Sequence, residues 1–401
     1  MVCRGFSRQK KGAFSLEIYL DNCATTRVCP QAAEACLKAM TADYGNPSSL
    51  HRKGMEAEAI LTAARKTVAR MLSCPPESVL FTANATESNN LAILGSAAAR
   101  PHGGRTIVTT AVEHSSVANA AAFLEKKGYT VKRVAPRSDG HFAVQDFLDA
   151  LDPDTLLVSF MMVNNEVGTV LPYETLIPAL RRKAPRVLIH MDAVQGFGKY
   201  PLNLKRLDLD FLSFSGHKLY APKGIGVLYL KKGVRIAPLA YGGGQEGNLR
   251  PGTQAVELAA GLNEALLLCQ QEGKEWAARC ASLNRRLREG LAALPRVKIN
   301  SPEDGAPHIL NLSVLGIRSE ILLHFLEERS IYVSSGSACS KGAKSPALAA
   351  YGLTPEEIDS AIRVSFSKDT TEGEIDALLA ALSDAIAKLR PIIEKNGKER
   401  L

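Results

Sequence analysis

The chain has 401 residues, 46% of them hydrophobic and 22% charged, the length and composition of a globular protein with a large core and room for two domains. No apolar run approaches the roughly 18 residues that cross a bilayer, which sets a membrane-spanning helix aside. The net charge is +8, but no basic stretch is interleaved with aromatics, so nucleic acid is not expected as a direct ligand.

Residues 1–17 carry Arg4, Arg8, Lys10 and Lys11 with neither an apolar run nor a cleavage signal, and read as a basic, disordered leader. A first strand is expected at Ile18. Over 54–72 the residues Met55, Ala59, Ile60, Ala64, Val68 and Met71 recur at helical spacing. Short apolar strands then alternate with helices: strands at 79–82, 106–110, 156–163, 187–191, 211–214 and 226–230, and helices at 87–98 and 116–127. The 156–163 stretch reads as a continuous apolar run, typical of a parallel strand covered on both faces. The alternation predicts an α/β large domain over 18–260 with a mostly parallel sheet. From Val256 a helical region rich in Ala, Leu, Glu and Arg runs to Leu294. Strands follow at 308–314, 331–333 and 362–366, with a last helix at 372–389, which together predict a smaller α+β domain over 261–401. No Pro/Ser/Gly-rich linker separates the two, so one continuous helix is expected to join them. This division leaves open that the residues just after 18 pack on the small domain.

The chemistry concentrates where strands end. Ser213-Phe214-Ser215-Gly216-His217-Lys218 closes an apolar strand on a lysine. Partial burial lowers a lysine's pKa and lets it form a Schiff base with an aldehyde cofactor; an isolated lysine is otherwise a solvated surface group. Asp192 ends a neighbouring strand and suits the protonated ring nitrogen of pyridoxal phosphate, or caps a helix. Asn84-Ala85-Thr86-Glu87 lies between a strand and a helix, where free N–H groups favour a phosphate or serve simple capping. Ser215 and His217 can add phosphate contacts. Asn165 and His114 also follow strands, and His114 can stack on a ring or move protons. Arg363 alternates with apolar neighbours and fits either a substrate carboxylate or a buried ion pair.

There are eight cysteines, none in a CxxC pair, so zinc and thioredoxin-like sites are not expected and no metal is. The thiols read as reduced, in a cytoplasmic protein. Cys339 differs from the rest. It lies in Ser334-Ser335-Gly336-Ser337-Ala338-Cys339-Ser340, a run of small residues with Lys341 and Lys344 close by to favour a thiolate.

Taken in order, several segments resemble the class V aminotransferase family of fold-type I pyridoxal-phosphate enzymes, and within it the cysteine desulfurases. They are Tyr19-Leu20-Asp21-Asn22-Cys23-Ala24-Thr25-Thr26, Asn164-Asn165-Glu166-Val167-Gly168, Asp192-Ala193-Val194-Gln195, Ser215-Gly216-His217-Lys218, Arg250-Pro251-Gly252-Thr253 and Ser335-Gly336-Ser337-Ala338-Cys339. The resemblance implies a large domain built on a sheet of the seven-stranded type. It implies that Lys218 carries the cofactor, that Asp192 pairs with its ring nitrogen and that Gln195 bonds its phenolic oxygen. His114 would stack on the ring; Ala85, Thr86, Ser215 and His217 would hold the phosphate, and Thr253 would reach the phosphate of a second subunit in a homodimer. Asn165 and Arg363 would bind the adduct with substrate L-cysteine, and Cys339 would take its sulfur. A sulfur-acceptor protein, either an iron–sulfur scaffold or a tRNA-thiolation enzyme, is the implied partner. The Arg-x-Gly-His-x-Cys segment of the selenocysteine-lyase-like branch is absent. Two other readings stand beside this one: another aminotransferase or lyase of the same fold, which would not need Cys339, and a catalytically silent scaffold that binds a sulfur carrier.

Overall fold

A computed structural model of the chain describes residues 17–335 and 345–398. The basic leader up to residue 16 and Cys339 lie outside the described residues. The described chain opens with β1 (Ile18–Tyr19), α1 (Pro30–Thr41) and α2 (Arg52–Leu72). Seven strands follow: β2 (Val79–Thr82), β3 (Thr106–Thr110), β4 (Thr130–Val134), β5 (Thr155–Met161), β6 (Leu188–Asp192), β7 (Phe211–Ser215) and β8 (Gly226–Leu230). Between them lie α3 (Ala85–Ala98), α4 (Ser115–Lys126), α5 (Val144–Ala150) and α6 (Tyr173–Lys183).

These strands form one sheet in the order β2-β8-β7-β6-β5-β3-β4. Strand β8 runs antiparallel to both neighbours, and every other pairing is parallel. All strands except β8 therefore point the same way, and their C-terminal ends share one edge, where ligands bind in open α/β sheets. The central strands are buried along their length because helices cover both faces. Ser159 interrupts the run expected to be apolar. Its hydroxyl lies 2.8 Å from His190 Nδ1, and His190 Nε2 lies 3.0 Å from Ser213 Oγ. Burial pushes His190 down to about 3, so a neutral imidazole bridges two hydroxyls in mid-sheet.

Helix α7 (Val256–Ala292) runs unbroken for 37 residues, as the missing linker predicted. Val256 to Cys269 pack in the core of the large sheet, and Cys280 to Leu291 in a second core. The rest of the described chain forms β9 (Val297–Ile299), β10 (Ile309–Val314), α8 (Ser319–Glu327), β11 (Ile331–Tyr332), β12 (Ser334–Ser335), α9 (Pro346–Ala350), α10 (Pro355–Asp359), β13 (Ala361–Ser365) and α11 (Glu372–Lys398); β10, α8, β11, β13 and α11 build the second core, while Leu348 of α9 and Ile358 of α10 pack in a small cluster with Val167 and Ala361. The second sheet has the order β12-β13-β10-β9 and is antiparallel throughout. Strand β1 pairs with β11, and Asp21 bridges Ser365. The first described residues thus join the C-terminal half of the chain and hold Asp21–Ala24 over the edge of the large sheet.

Candidate active site

The C-terminal edge of the large sheet opens into a cavity of about 420 Å³, lined by Ala85, Thr86, His114, Asn165, Asp192, Gln195, Ser215, His217, Lys218 and Arg363 among others. Every described residue singled out from the sequence lines it except Thr253; Cys339 lies outside the described residues. Thr253 is exposed and lies in a loop held by the Gly252 N–H, which donates to Gln245 Oε1 at 3.1 Å.

Each group arrives from a strand end. Lys218 follows β7 in a single 3-10 turn, and its Nζ donates to the carbonyls of Cys23 and Ala24, at 2.5 and 2.6 Å. Burial pushes its ammonium down to about 8, so the free amine needed for attack is available near neutral pH. Asp192 ends β6 and is no helix cap. Its Oδ1 accepts the Val194 N–H at 2.9 Å, and its Oδ2 accepts from Asn89 Nδ2 at 2.8 Å. Burial pushes this carboxyl up, and those two donors pull it back. The other Asn89 contact, to Ser116 Oγ at 2.9 Å, continues to His114 Nδ1 at 2.8 Å. His114 Nδ1 also accepts the Ser116 N–H, which places the proton of the neutral ring on Nε2. Burial pushes His114 down and so keeps it neutral.

The start of α3 faces the cavity too. Asn84 caps it by accepting the Glu87 N–H at 3.0 Å, which leaves the first N–H groups, of Ala85 and Thr86, as free donors. Capping and anion binding are thus compatible here, not alternatives. Gly226 allows the approach: a Cβ there would lie 2.5 Å from the Asn84 carbonyl carbon. The Ser215 hydroxyl is buried beside them without a partner among the described residues. Arg363 is both things the sequence left open. Its Nη2 pairs with Asp21 Oδ1 at 2.8 Å and its Nη1 donates to the Asn165 carbonyl at 2.8 Å, while it still lines the cavity. Gln195 Nε2 donates to the Cys23 carbonyl at 3.1 Å, so the Asp21–Ala24 backbone braces Gln195 and Lys218 together.

Residues 18–378 match the family described as Aminotransferase class-V. The chain belongs to the class-V aminotransferase family. Among curated relatives, a "NifS/IcsS protein homolog" of Lactobacillus delbrueckii subsp. bulgaricus is 41% identical over 92% of this chain and 96% of its own length. "Cysteine desulfurase IscS" of Serratia proteamaculans is 40% identical over 94% of each chain. A solved "NIFS-LIKE PROTEIN" superposes with a TM-score of 0.88 at 37% identity, covering 93% of this chain and 100% of its own. "SspA in complex with cysteine" superposes with a TM-score of 0.77 at 31% identity, covering 87% and 98%.

The cavity of this class-V chain fits pyridoxal phosphate, the cofactor of its family. Among the described residues Asp192 has no ion-pair partner, which suits a protonated ring nitrogen. The unpartnered Ser215 hydroxyl and the free α3 donors suit a phosphate, and the amine of Lys218 suits an aldehyde. Sequence reasoning missed Asp21, Asn89, Glu113 and Ser116. Glu113 is buried beside this network. Its Oε1 accepts the Thr110 hydroxyl at 2.6 Å and the Met161 N–H at 2.9 Å, while Oε2 has no partner among the described residues.

Burial, aided by the charge of Asp192, pushes the Glu113 carboxyl up to about 8. The folded protein then holds a proton that the unfolded chain releases near its ordinary value. Glu113 therefore contributes stability that is full below about pH 4.5 and is lost as pH rises towards about 8. Glu113→Gln keeps the acceptor and should flatten that part of the pH–stability curve. Thermal melts between pH 5 and 8 that decline as steeply as wild type would show that Glu113 is ionised in the fold.

Proposed function

We propose that this chain is a pyridoxal-phosphate-dependent cysteine desulfurase, converting L-cysteine to L-alanine and retaining the sulfur as a persulfide on Cys339. The observation that carries the reading is the convergence of Lys218, Asp192, His114 and Arg363 on one cavity, in a chain whose curated relatives carry the name cysteine desulfurase at 40% identity over nearly full length.

When bound, the cofactor supplies an electron sink for the negative charge left at the substrate's α-carbon. Asp192 would hold the ring nitrogen and Gln195 the phenolic oxygen. Ala85, Thr86, Ser215 and His217 would hold the phosphate. Burial pushes His217 down to about 4, so it acts there as a neutral hydrogen-bonding group. Arg363, braced by Asp21, receives the substrate carboxylate together with Asn165. Lys218 takes the α-proton as its free amine and returns a proton to the product carbon. His114 Nε2–H offers a second proton at the ring face. The Cys339 thiolate bonds to the substrate sulfur as the carbon–sulfur bond breaks; the bonding pair stays on carbon, which is protonated to give alanine.

The same reading takes the protein as a homodimer in the cytoplasm, with Thr253 reaching the second subunit's phosphate. Leu50, 97% exposed just before α2, and Tyr241, 88% exposed in the segment that leads to the Thr253 loop, are apolar side chains available for such a contact. The persulfide would pass to an acceptor protein, for iron–sulfur assembly or tRNA thiolation. Among the described residues no helix is long and apolar enough to cross a membrane.

The test is stoichiometry. Purified protein given L-cysteine, cofactor and a thiol reductant should release alanine and sulfide in equal amounts, and should sediment as a dimer at assay concentration. Transamination without sulfide would refute the desulfurase reading, and a fully active monomer would remove the role of Thr253.

A further inference from the structure

Lys218 also lines a second cavity, of about 100 Å³, and so borders both. This space lies where α7 passes from one core to the other. Trp276 and Cys280 come from α7, Tyr220 from the turn after Lys218, and Phe366 from the end of β13. Its other ionisable nitrogen groups are Lys199, His308 and Lys368. No carboxylate lines it among the described residues.

Two of the lysines at this cavity are satisfied. Lys218 is held by the Cys23 and Ala24 carbonyls. Lys368 pairs with Asp369 at 3.0 Å and lies 5.8 Å from the Tyr220 ring centre. The Lys199 ammonium has no hydrogen-bond or ion-pair partner among the described residues, and burial pushes it down. His308 is 4% exposed, and its Nε2 is buried without a partner among the described residues. Lys199 is half-buried, and a cation partly withdrawn from water gains from an opposite charge that meets it. The protein supplies apolar and aromatic walls here instead.

The geometry points to a binding site for a small, weakly hydrated monovalent anion, a halide or hydrosulfide, held by Lys199 in the cavity behind Lys218. The charge of Lys199 recognises the anion, and the apolar walls select against strongly hydrated or multivalent ones. Hydrosulfide would also offer its S–H to the unpartnered His308 Nε2, whereas a halide would leave that nitrogen to a water.

Holoenzyme crystals soaked in sodium bromide test this directly. An anomalous bromide peak against Lys199 is expected in wild type and should vanish in Lys199→Met. Added sodium hydrosulfide that displaces the peak names hydrosulfide as the ligand; a peak that stays names a halide. In solution, bromide at constant ionic strength should raise the Tm of wild type and not that of Lys199→Met. The variant removes a half-buried charge that no carboxylate of this cavity compensates, so without bromide it should melt no lower than wild type. Bromide found only on the outer surface, or a cavity peak of equal height in Lys199→Met, would overturn the site. Neither readout depends on turnover, so failure here is distinct from failure of the desulfurase reading.

Discussion

Lys218→Ala should abolish the formation of alanine and sulfide from cysteine while leaving the fold intact. Two properties of the site lead to this. The amine is the buried primary amine at the C-terminal edge of the large sheet whose pKa burial lowers to about 8, so it can act both as nucleophile and as base near neutral pH. It is also aimed by two carbonyls of a segment that Asp21 and Arg363 tie to the second sheet. Loss of a positioned acid–base group alone costs about 10²–10⁴-fold, and loss of the covalent attachment adds to it. Truncation leaves the Cys23 and Ala24 carbonyls facing the cavity, where water can reach them, so the melting temperature should change little. Borohydride treatment should fix the cofactor to wild type and not to the variant. Turnover within about tenfold of wild type would exclude a role for Lys218 in proton transfer of that size.

The contributors to this site differ in how plainly the sequence shows them. Lys218, Asp192, His114 and Asn165 each lie at or within a few residues of the end of an apolar strand, and a polar residue where a strand pattern stops is a local signal. Asn89 carries a weaker one. It lies four residues after Ala85 on α3, hence on the same helix face, and its amide joins Ser116 to Asp192. Asp21 carries no local signal. Its partner Arg363 is 342 residues away, and the pairing of β1 with β11 and the Asp21–Ser365 bridge bring them together. The fold divides in the same way. Strand β4 escaped notice because it is the sheet edge, where Lys132 and Arg133 break the apolar pattern. Helix α6 escaped because Pro178 sits inside it and three basic residues close it, features that read as a helix break and a solvated loop.

The second large effect is expected from Cys339→Ser: cysteine should still bind, and sulfur transfer should fall to background. Cys339 lies four residues after Ser335 and six before Ser345, and both of those anchors are fixed at the cavity. Ser334 and Ser335 line it and pair with Arg363 and Ile362 across β12 and β13. Ser345 Oγ donates to Glu166 Oε2 at 2.6 Å, and Glu166 lines the same cavity. Four residues span at most about 14 Å, which bounds how far Cys339 can lie from Ser335. The other described thiols are poorly suited to the task. Burial pushes Cys269 up to about 12 and Cys74 and Cys280 up to about 11, so they stay protonated, and the thiolate is the nucleophile. Cys29 and Cys36 are buried in helix packing away from the cavity. Cys23 is the one competitor, since it lines the cavity while 3% exposed. Mass spectrometry of wild type incubated with cysteine and no reductant should find the added sulfur on the Cys339 peptide. A serine hydroxyl cannot hold a persulfide, so the variant should show none there and release no sulfide. Sulfur that maps to Cys23, or a variant that keeps wild-type turnover, would move the carrier role from Cys339 to the cavity wall.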